Sequence, residues 1–244
     1  MGKTTVALNL AIAIRQLTKK RVVLMDLDLM SGNVAMMAGL SFKRSIKDLV
    51  DEINNLDEEI MDRCCIQHSS GIKILPAPVQ PEYSGFIESE HVEKVLSQLT
   101  QVFNYVIVDA PTYLHDTVMP ALELSQEIVM VTTLDLASIQ NLKQCLDLLN
   151  GLSMRTKVKV LVNRMGSSRN LKLKDLEEAL GMEIQGVVPA CEDLAVEAVN
   201  MGNPLIMAAK HSPAARQLTE FAKKLMVKGD RPVEGSVFGK LARR

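Results

Sequence analysis

Apolar positions along this chain follow two periods in alternation. Between Val6 and Leu17 there is no Gly or Pro, and Ala7, Leu10, Ala11 and Ile14 fall at i, i+3, i+4 and i+7. That spacing is one face of a helix, predicted over 3–18. The next apolar run, Val22 to Met25 before Asp26, is unbroken, as in a strand buried on both faces and predicted over 21–27. Further strands are predicted at 72–75, 103–109, 127–132, 157–162 and 183–188. Helices are predicted near 45–54, 90–101, 117–124, 136–150, 173–180, 192–201 and 212–226. Ser45 and Ser212 read as N-caps, Pro213 as a first helical residue and Gly181 as a helix stop. The stretches 32–39 and 76–81 read as loops, and 55–71 as a polar stretch leading to the strand at 72–75. Strands alternating with helices predict an α/β protein with a doubly wound, mostly parallel sheet flanked by helices. A single domain over 1–226 is expected, followed by a flexible basic tail over 227–244.

Polar residues stand where this pattern breaks. Gly2-Lys3-Thr4-Thr5 is the back half of a phosphate-binding loop, G-x-x-x-x-G-K-[ST], which sits between a strand and a helix. Its Lys neutralises β/γ-phosphates, its hydroxyl binds Mg²⁺, and the helix start offers free N–H groups and the positive end of a dipole. Lys3 is therefore assigned to the β/γ-phosphates, Thr4 to Mg²⁺ and Thr5 to the α-phosphate. The runs ending in Asp26-Leu27-Asp28 and in Asp109-Ala110-Pro111 place acids at the carboxyl ends of strands, where open α/β sheets bind ligands. Asp109 is assigned as a Mg²⁺ ligand, direct or through water. The loop's first glycines and its strand do not precede Gly2, so a chain truncated at its N-terminus is expected. Such a form would leave a central strand position unfilled, its neighbours unpaired, and ATP weakly held.

Bulk properties narrow the function. A chain of 244 residues with 47% hydrophobic and 23% charged residues is globular in composition. A net charge of −1, 3% aromatics and no Trp argue against a nucleic-acid partner. The four cysteines lack metal or redox spacing, and Cys64 and Cys65 read as buried thiols of a reducing cytoplasm. No apolar run reaches the roughly 20 residues that span a bilayer. Met30, Met36 and Met37 are expected to pack in the core rather than form a partner surface. The four histidines are scattered and carry no assigned role.

The spacing of these motifs resembles the deviant Walker-A ATPases of the MinD/ParA type, and within them the CpaE/TadZ branch of pilus-assembly proteins. The resemblance covers nearly the whole chain. Besides the loop and Val108-Asp109-Ala110-Pro111, it is carried by Met25-Asp26-Leu27-Asp28 with Ser31-Gly32-Asn33-Val34, and by Leu75-Pro76-Ala77-Pro78. Thr132-Thr133-Leu134-Asp135, Val162-Asn163-Arg164 and Ala198-Val199-Asn200-Met201-Gly202-Asn203-Pro204 complete the set. The family's signature Lys, five residues before Lys3, has no counterpart here. The resemblance implies ATP and Mg²⁺ as ligands. It implies Asp28 as the residue orienting the attacking water, Asp26 as support for the metal, and Asn163 with Arg164 as contacts to the base. Lys3, Asp28 and Asp26 are then the catalytic set. It also implies a homodimer formed on ATP binding, pilus or secretion machinery as partner, and a cytoplasmic protein, peripheral at the inner face of the membrane.

Two relatives of that function are weighed beside it: a division- or flagellum-placing ATPase of the MinD/FlhG kind, and a scaffold that binds nucleotide without hydrolysing it. A DNA-partitioning role would want a basic surface. In the tail, Val237, Phe238 and Leu241 alternate with Lys240, Arg243 and Arg244, the composition of a short segment that touches a membrane surface weakly.

Overall fold

The helix and strand periods resolve into a chain of alternating elements. The computed structural model describes residues 2–166 and 171–226. In order these are α1 (Lys3–Thr18), β1 (Val22–Asp26), α2 (Val34–Met37), α3 (Ile46–Asp51), α4 (Glu58–Cys64), β2 (Ile66–Gln67), β3 (Lys73–Leu75), α5 (Ser89–Val102) and β4 (Tyr105–Asp109). There follow α6 (Met119–Leu124), β5 (Ile128–Thr132), α7 (Leu136–Gly151), β6 (Val158–Met165), α8 (Leu173–Leu180), β7 (Gly186–Pro189), α9 (Glu192–Asn200), α10 (Leu205–Ala208) and α11 (Pro213–Leu225). The tail over 227–244, with its expected membrane-surface residues, lies outside the described residues.

All five residues of β1 are buried, because the strand has a covered face on each side. Val23 and Met25 enter one hydrophobic core and Val22 and Leu24 the other. Successive side chains leave a strand on opposite faces, so one apolar run feeds both cores. The second core is built on α1 and α11, through Leu8, Ile12, Leu218 and Phe221. The first is built on α5 and α7, through Val95, Leu99, Leu142 and Leu146.

The strands form two sheets. One has the order β2-β3-β1-β4 and the other β5-β6-β7, and every pair is parallel except β2 with β3. Both sheets feed the same two cores, since Val160 and Val162 join Val23 while Leu161 joins Leu24. Among the described residues β4 pairs with β1 alone and β5 with β6 alone. The middle residues of β4 and β5 are accordingly only half-buried, in contrast to β1.

Local chemistry sets the helix ends. The Ser45 hydroxyl accepts from the Lys47 N–H at 3.2 Å and Asp48 accepts from the Ser45 N–H at 2.8 Å, which closes a capping box on α3. Ser212 caps α11 by accepting from the Ala215 N–H at 3.2 Å, with Pro213 at the first turn. Each such cap contributes about 1 kcal/mol. Gly181 ends α8 at a φ of 61°.

Two expectations need correction, and several short elements were not predicted. The stretch 32–39 contains α2, and 55–71 contains α4 and β2. The start of α4 was marked by Asp57, whose carboxylate accepts from the Ile60 N–H at 2.7 Å. The run after Gln80 is a 3-10 turn over Pro81–Phe86, and the four-residue α10 is too short to carry a period. Met30 and Met36 are 67% and 59% exposed and only Met37 packs against a core. They sit in or beside the loop that follows β1, where no element covers them.

Candidate functional site

Gly2 and the start of α1 define one corner. Gly2 takes a left-handed φ of 84°, a conformation that costs an L side chain about 1–2 kcal/mol. A Cβ there would also fall 2.7 Å from Asn163 Nδ2. The first bond of the helical ladder runs from the Val6 N–H to the Gly2 carbonyl. The N–H groups of Lys3, Thr4 and Thr5 therefore precede the ladder, no side chain caps them, and no acid stands in the first turn. This is the arrangement a phosphate uses.

Side chains from α1 reach the end of β4. The Lys3 ammonium donates to Thr112 Oγ1 at 2.9 Å across 109 residues of sequence. The Thr4 hydroxyl lies near the Asp109 carboxylate and acts to hold its pKa down. Asp109 is 4% exposed, and burial pushes its pKa above the ordinary carboxylate value. The Thr4 hydroxyl and the nearby Lys3 charge oppose that push, while the Asp28 carboxylate adds to it.

Asp26 stands directly beside Asp109 in the parallel register of β1 and β4. It is 2% exposed, and its pKa is pushed up to about 7, chiefly by burial, then by the neighbouring Asp109 and Asp28 charges. Its two oxygens accept from main-chain donors, Asp28 N at 3.2 Å and Val34 N at 3.0 Å. Asp26 thus ties down both ends of the loop that carries Asp28. Gly32 makes this fold possible, since a Cβ there would fall 2.6 Å from Asp26 Oδ2 and 2.4 Å from Ala77 Cβ. Because β1 ends at Asp26, Asp28 lies beyond the strand and is freed from its alternation. Its carboxylate accepts from the Ser31 N–H at 3.2 Å.

The other corner is the end of β6. The ladder between β6 and β7 shifts register between Val162 and Met165, and Arg164 inside that bulge takes a left-handed φ of 54°. Bulges re-aim side chains beside functional sites. Asn163 Oδ1 accepts from the Arg164 N–H at 3.0 Å, and its Nδ2 lies against Gly2. Arg164 turns toward Glu192, at 3.7 Å.

The structure therefore brings Gly2, Lys3, Thr4, Asp28, Asp26, Asp109 and Asn163 to one end of the strands. Arg164 shares the bulge but pairs outward, and Thr5 contributes its place in the first turn, its carbonyl accepting from Asn9 Nδ2 at 2.7 Å. Gly32 entered the sequence analysis only within the Ser31-Gly32-Asn33-Val34 run, with no role of its own, and Thr112 and Asn9 were not singled out. A Gly two residues before an apolar turn and an Asn on an otherwise apolar helix face were the available signals. Among the described residues no three His, Cys, Asp or Glu side chains form a metal-holding group. Mg²⁺ is usually held by one or two carboxylates together with substrate phosphates and water. The Thr4 hydroxyl on the Asp109 carboxylate is a hard-oxygen donor pair of that kind.

The first 205 residues match the family model described as the CobQ/CobB/MinD/ParA nucleotide binding domain. A septum site-determining protein MinD from Synechocystis is 26% identical over 232 residues, covering 92% of this chain and 85% of the relative. The ParA family ATPase from Chlorobium tepidum has a similar fold, with a TM-score of 0.86, 23% identity, and coverage of 91% of this chain and 93% of that one. MinD from Pyrococcus horikoshii, solved as a complex with Mg-ADP, superposes with a TM-score of 0.79 at 19% identity, covering 91% of this chain and 90% of that one.

Proposed function

The chain belongs to the CobQ/CobB/MinD/ParA nucleotide-binding family, and from that membership we propose that it binds and hydrolyses ATP with Mg²⁺ and acts as a positioning ATPase. The observation that carries this reading is the Thr4 hydroxyl on the Asp109 carboxylate, at an uncapped helix start and beside Lys3 and Asp28.

Each residue has a task in this reading. The N–H groups of Lys3, Thr4 and Thr5 cradle phosphate oxygens and fix their position. The Lys3 ammonium leaves Thr112 for the β/γ-phosphates. Thr4 and Asp109 would hold Mg²⁺, which would supply positive charge to the phosphate oxygens. Asp28 orients the attacking water. Asp26 holds the Asp28 loop through its two main-chain bonds, and through that loop supports the metal side of the site. Asn163 offers a donor and an acceptor to the base edge, with Arg164 flanking it. Positioning and electrostatics do most of the work in phosphoryl transfer, and these groups would share that work.

ATP would bring two copies together as a homodimer, and the motif set favours pilus or secretion machinery as the partner. A second reading, placement of a division septum, is favoured by the MinD relatives at 26% identity. Among the described residues no helix is long and apolar enough to cross a membrane. The reading is of a cytoplasmic protein that touches the inner face of the membrane weakly through its basic tail. Steady-state ATPase assays of the wild type, Lys3→Ala and Asp28→Ala test the enzyme. Turnover should be lost in both variants, and wild-type turnover in either would refute the assignment. A fluorescent fusion separates the two placements, since a mid-cell signal would exclude pilus or secretion placement.

A further inference from the structure

Asn9 is 1% exposed and sits in the apolar second core between Leu8 and Leu10. A polar side chain so buried stays only where its hydrogen bonds are met. Its Nδ2 donates to the Thr5 carbonyl at 2.7 Å, one turn back, inside the first turn of α1. Its Oδ1 accepts from the Ile206 N–H at 2.8 Å, at the start of α10 and 197 residues away. Leu205 and Ile206 are themselves buried at 2% and 3%, so α10 has no solvent to replace that acceptor.

The segment leading to α10 is fixed at its other end. Gly202, at a φ of 57°, lies against Gly39 so closely that a Cβ on Gly202 would fall 2.3 Å from the Gly39 Cα. Gly39 closes the turn after α2, and the Val34 N–H at the start of α2 bonds Asp26. One contiguous set of contacts thus runs from the phosphate turn, through Asn9, α10 and the two glycines, to the loop that carries Asp28.

We propose that Asn9 is a positioning residue, one amide that sets the phosphate turn of α1 and the α9–α10 segment in fixed relation, so that nucleotide binding and the placement of that segment are coupled. The inference rests on the nucleotide reading of the site. Asn9 does not touch phosphate; it acts through the Thr5 carbonyl. Nucleotide that orders the first turn strengthens the Asn9 bond to Ile206, and a disturbed α10 loosens the phosphate turn by the same coupling.

The test uses the full chain, with Mg-ADP as the probe. Amide hydrogen exchange is followed over 201–209, and affinity is read by titration for wild type, Asn9→Asp and Asn9→Leu. In wild type, Mg-ADP should slow exchange of the Ile206 amide. Asn9→Asp keeps an acceptor for Ile206 and removes the donor to Thr5. It should keep basal Ile206 protection, lose the response to Mg-ADP, and bind about tenfold more weakly. Asn9→Leu should lose both protection and affinity. A residue that only stabilises the fold would lower the melting temperature and leave the affinity of the folded protein unchanged. Folded variants that bind within twofold of wild type overturn the proposal. So does a wild-type Ile206 amide indifferent to Mg-ADP, a readout that stands even where neither variant folds. A wild type that binds no nucleotide overturns the site reading itself and this coupling with it, whereas binding without coupling overturns only the role of Asn9.

Discussion

The proposed phosphate corner and the proposed base corner meet at Gly2 but are built differently. At the phosphate corner, Lys3 of α1 bonds Thr112 just beyond β4, and the Thr4 hydroxyl lies near the buried Asp109 carboxylate. At the base corner, Asn163 and Arg164 sit in a bulge, and Asn163 spends its oxygen on its neighbour's N–H. The first is a preorganised charged site, costly to disturb. The second is a shaped edge that adjusts. Catalytic effects should therefore concentrate at the first corner and selectivity effects at the second.

The sharpest way to break this contrast is Lys3→Ala. Loss of the Lys3 cation should lower kcat by about 10²–10³-fold in an ATPase assay, as for other preorganised charges. Asp28→Ala should lower kcat by roughly 10²-fold and leave ATP affinity nearly unchanged, seen as a kcat loss without a KM loss. Gly2→Ala joins the corners, because it adds strain and strikes Asn163. It should weaken nucleotide binding about tenfold by titration. Asn163→Ala should cost only a few-fold in ATP affinity while narrowing the preference for ATP over GTP. A larger loss from Asn163→Ala than from Lys3→Ala would reverse the contrast.

A smaller effect follows from the buried acids. The Asp26 pKa is raised from 3.8 to about 7, so the folded state holds a proton that the unfolded chain releases. Its contribution to stability is full below the unfolded value near 4 and is lost as pH rises toward 7. Asp109, also raised, acts in the same direction. The nucleotide-free protein should melt several degrees higher at pH 5.5 than at pH 7.5, a trend that differential scanning calorimetry reads and that Asp26→Asn should flatten.

Much of this architecture was legible because periodicity reports burial. The run Val22 to Met25 read as a two-faced strand, and both its faces meet a core. The acids at Asp26 and Asp109 read as strand-end residues, and the register places them side by side. Short elements such as α2 and α10 escaped because four residues make barely one helical turn. The bulge at Asn163 and Arg164 escaped because a register shift depends on the partner strand β7, which local sequence does not encode. The role of Asp26 in holding the Asp28 loop was hidden for a similar reason. It depends on Gly32 folding back to within reach of the carboxylate. The α/β architecture with mostly parallel strands flanked by helices is as expected, and the half-buried residues of β4 and β5 mark where the strands part into two sheets.

Calorimetric titration of ATP into wild type and Asp109→Asn, each with and without Mg²⁺, goes most directly to the Thr4–Asp109 pair. Mg²⁺ should tighten ATP binding in the wild type and leave the Asp109→Asn affinity unchanged. An equal tightening in both proteins would show that the metal is held elsewhere and would contradict the site described at the start of α1.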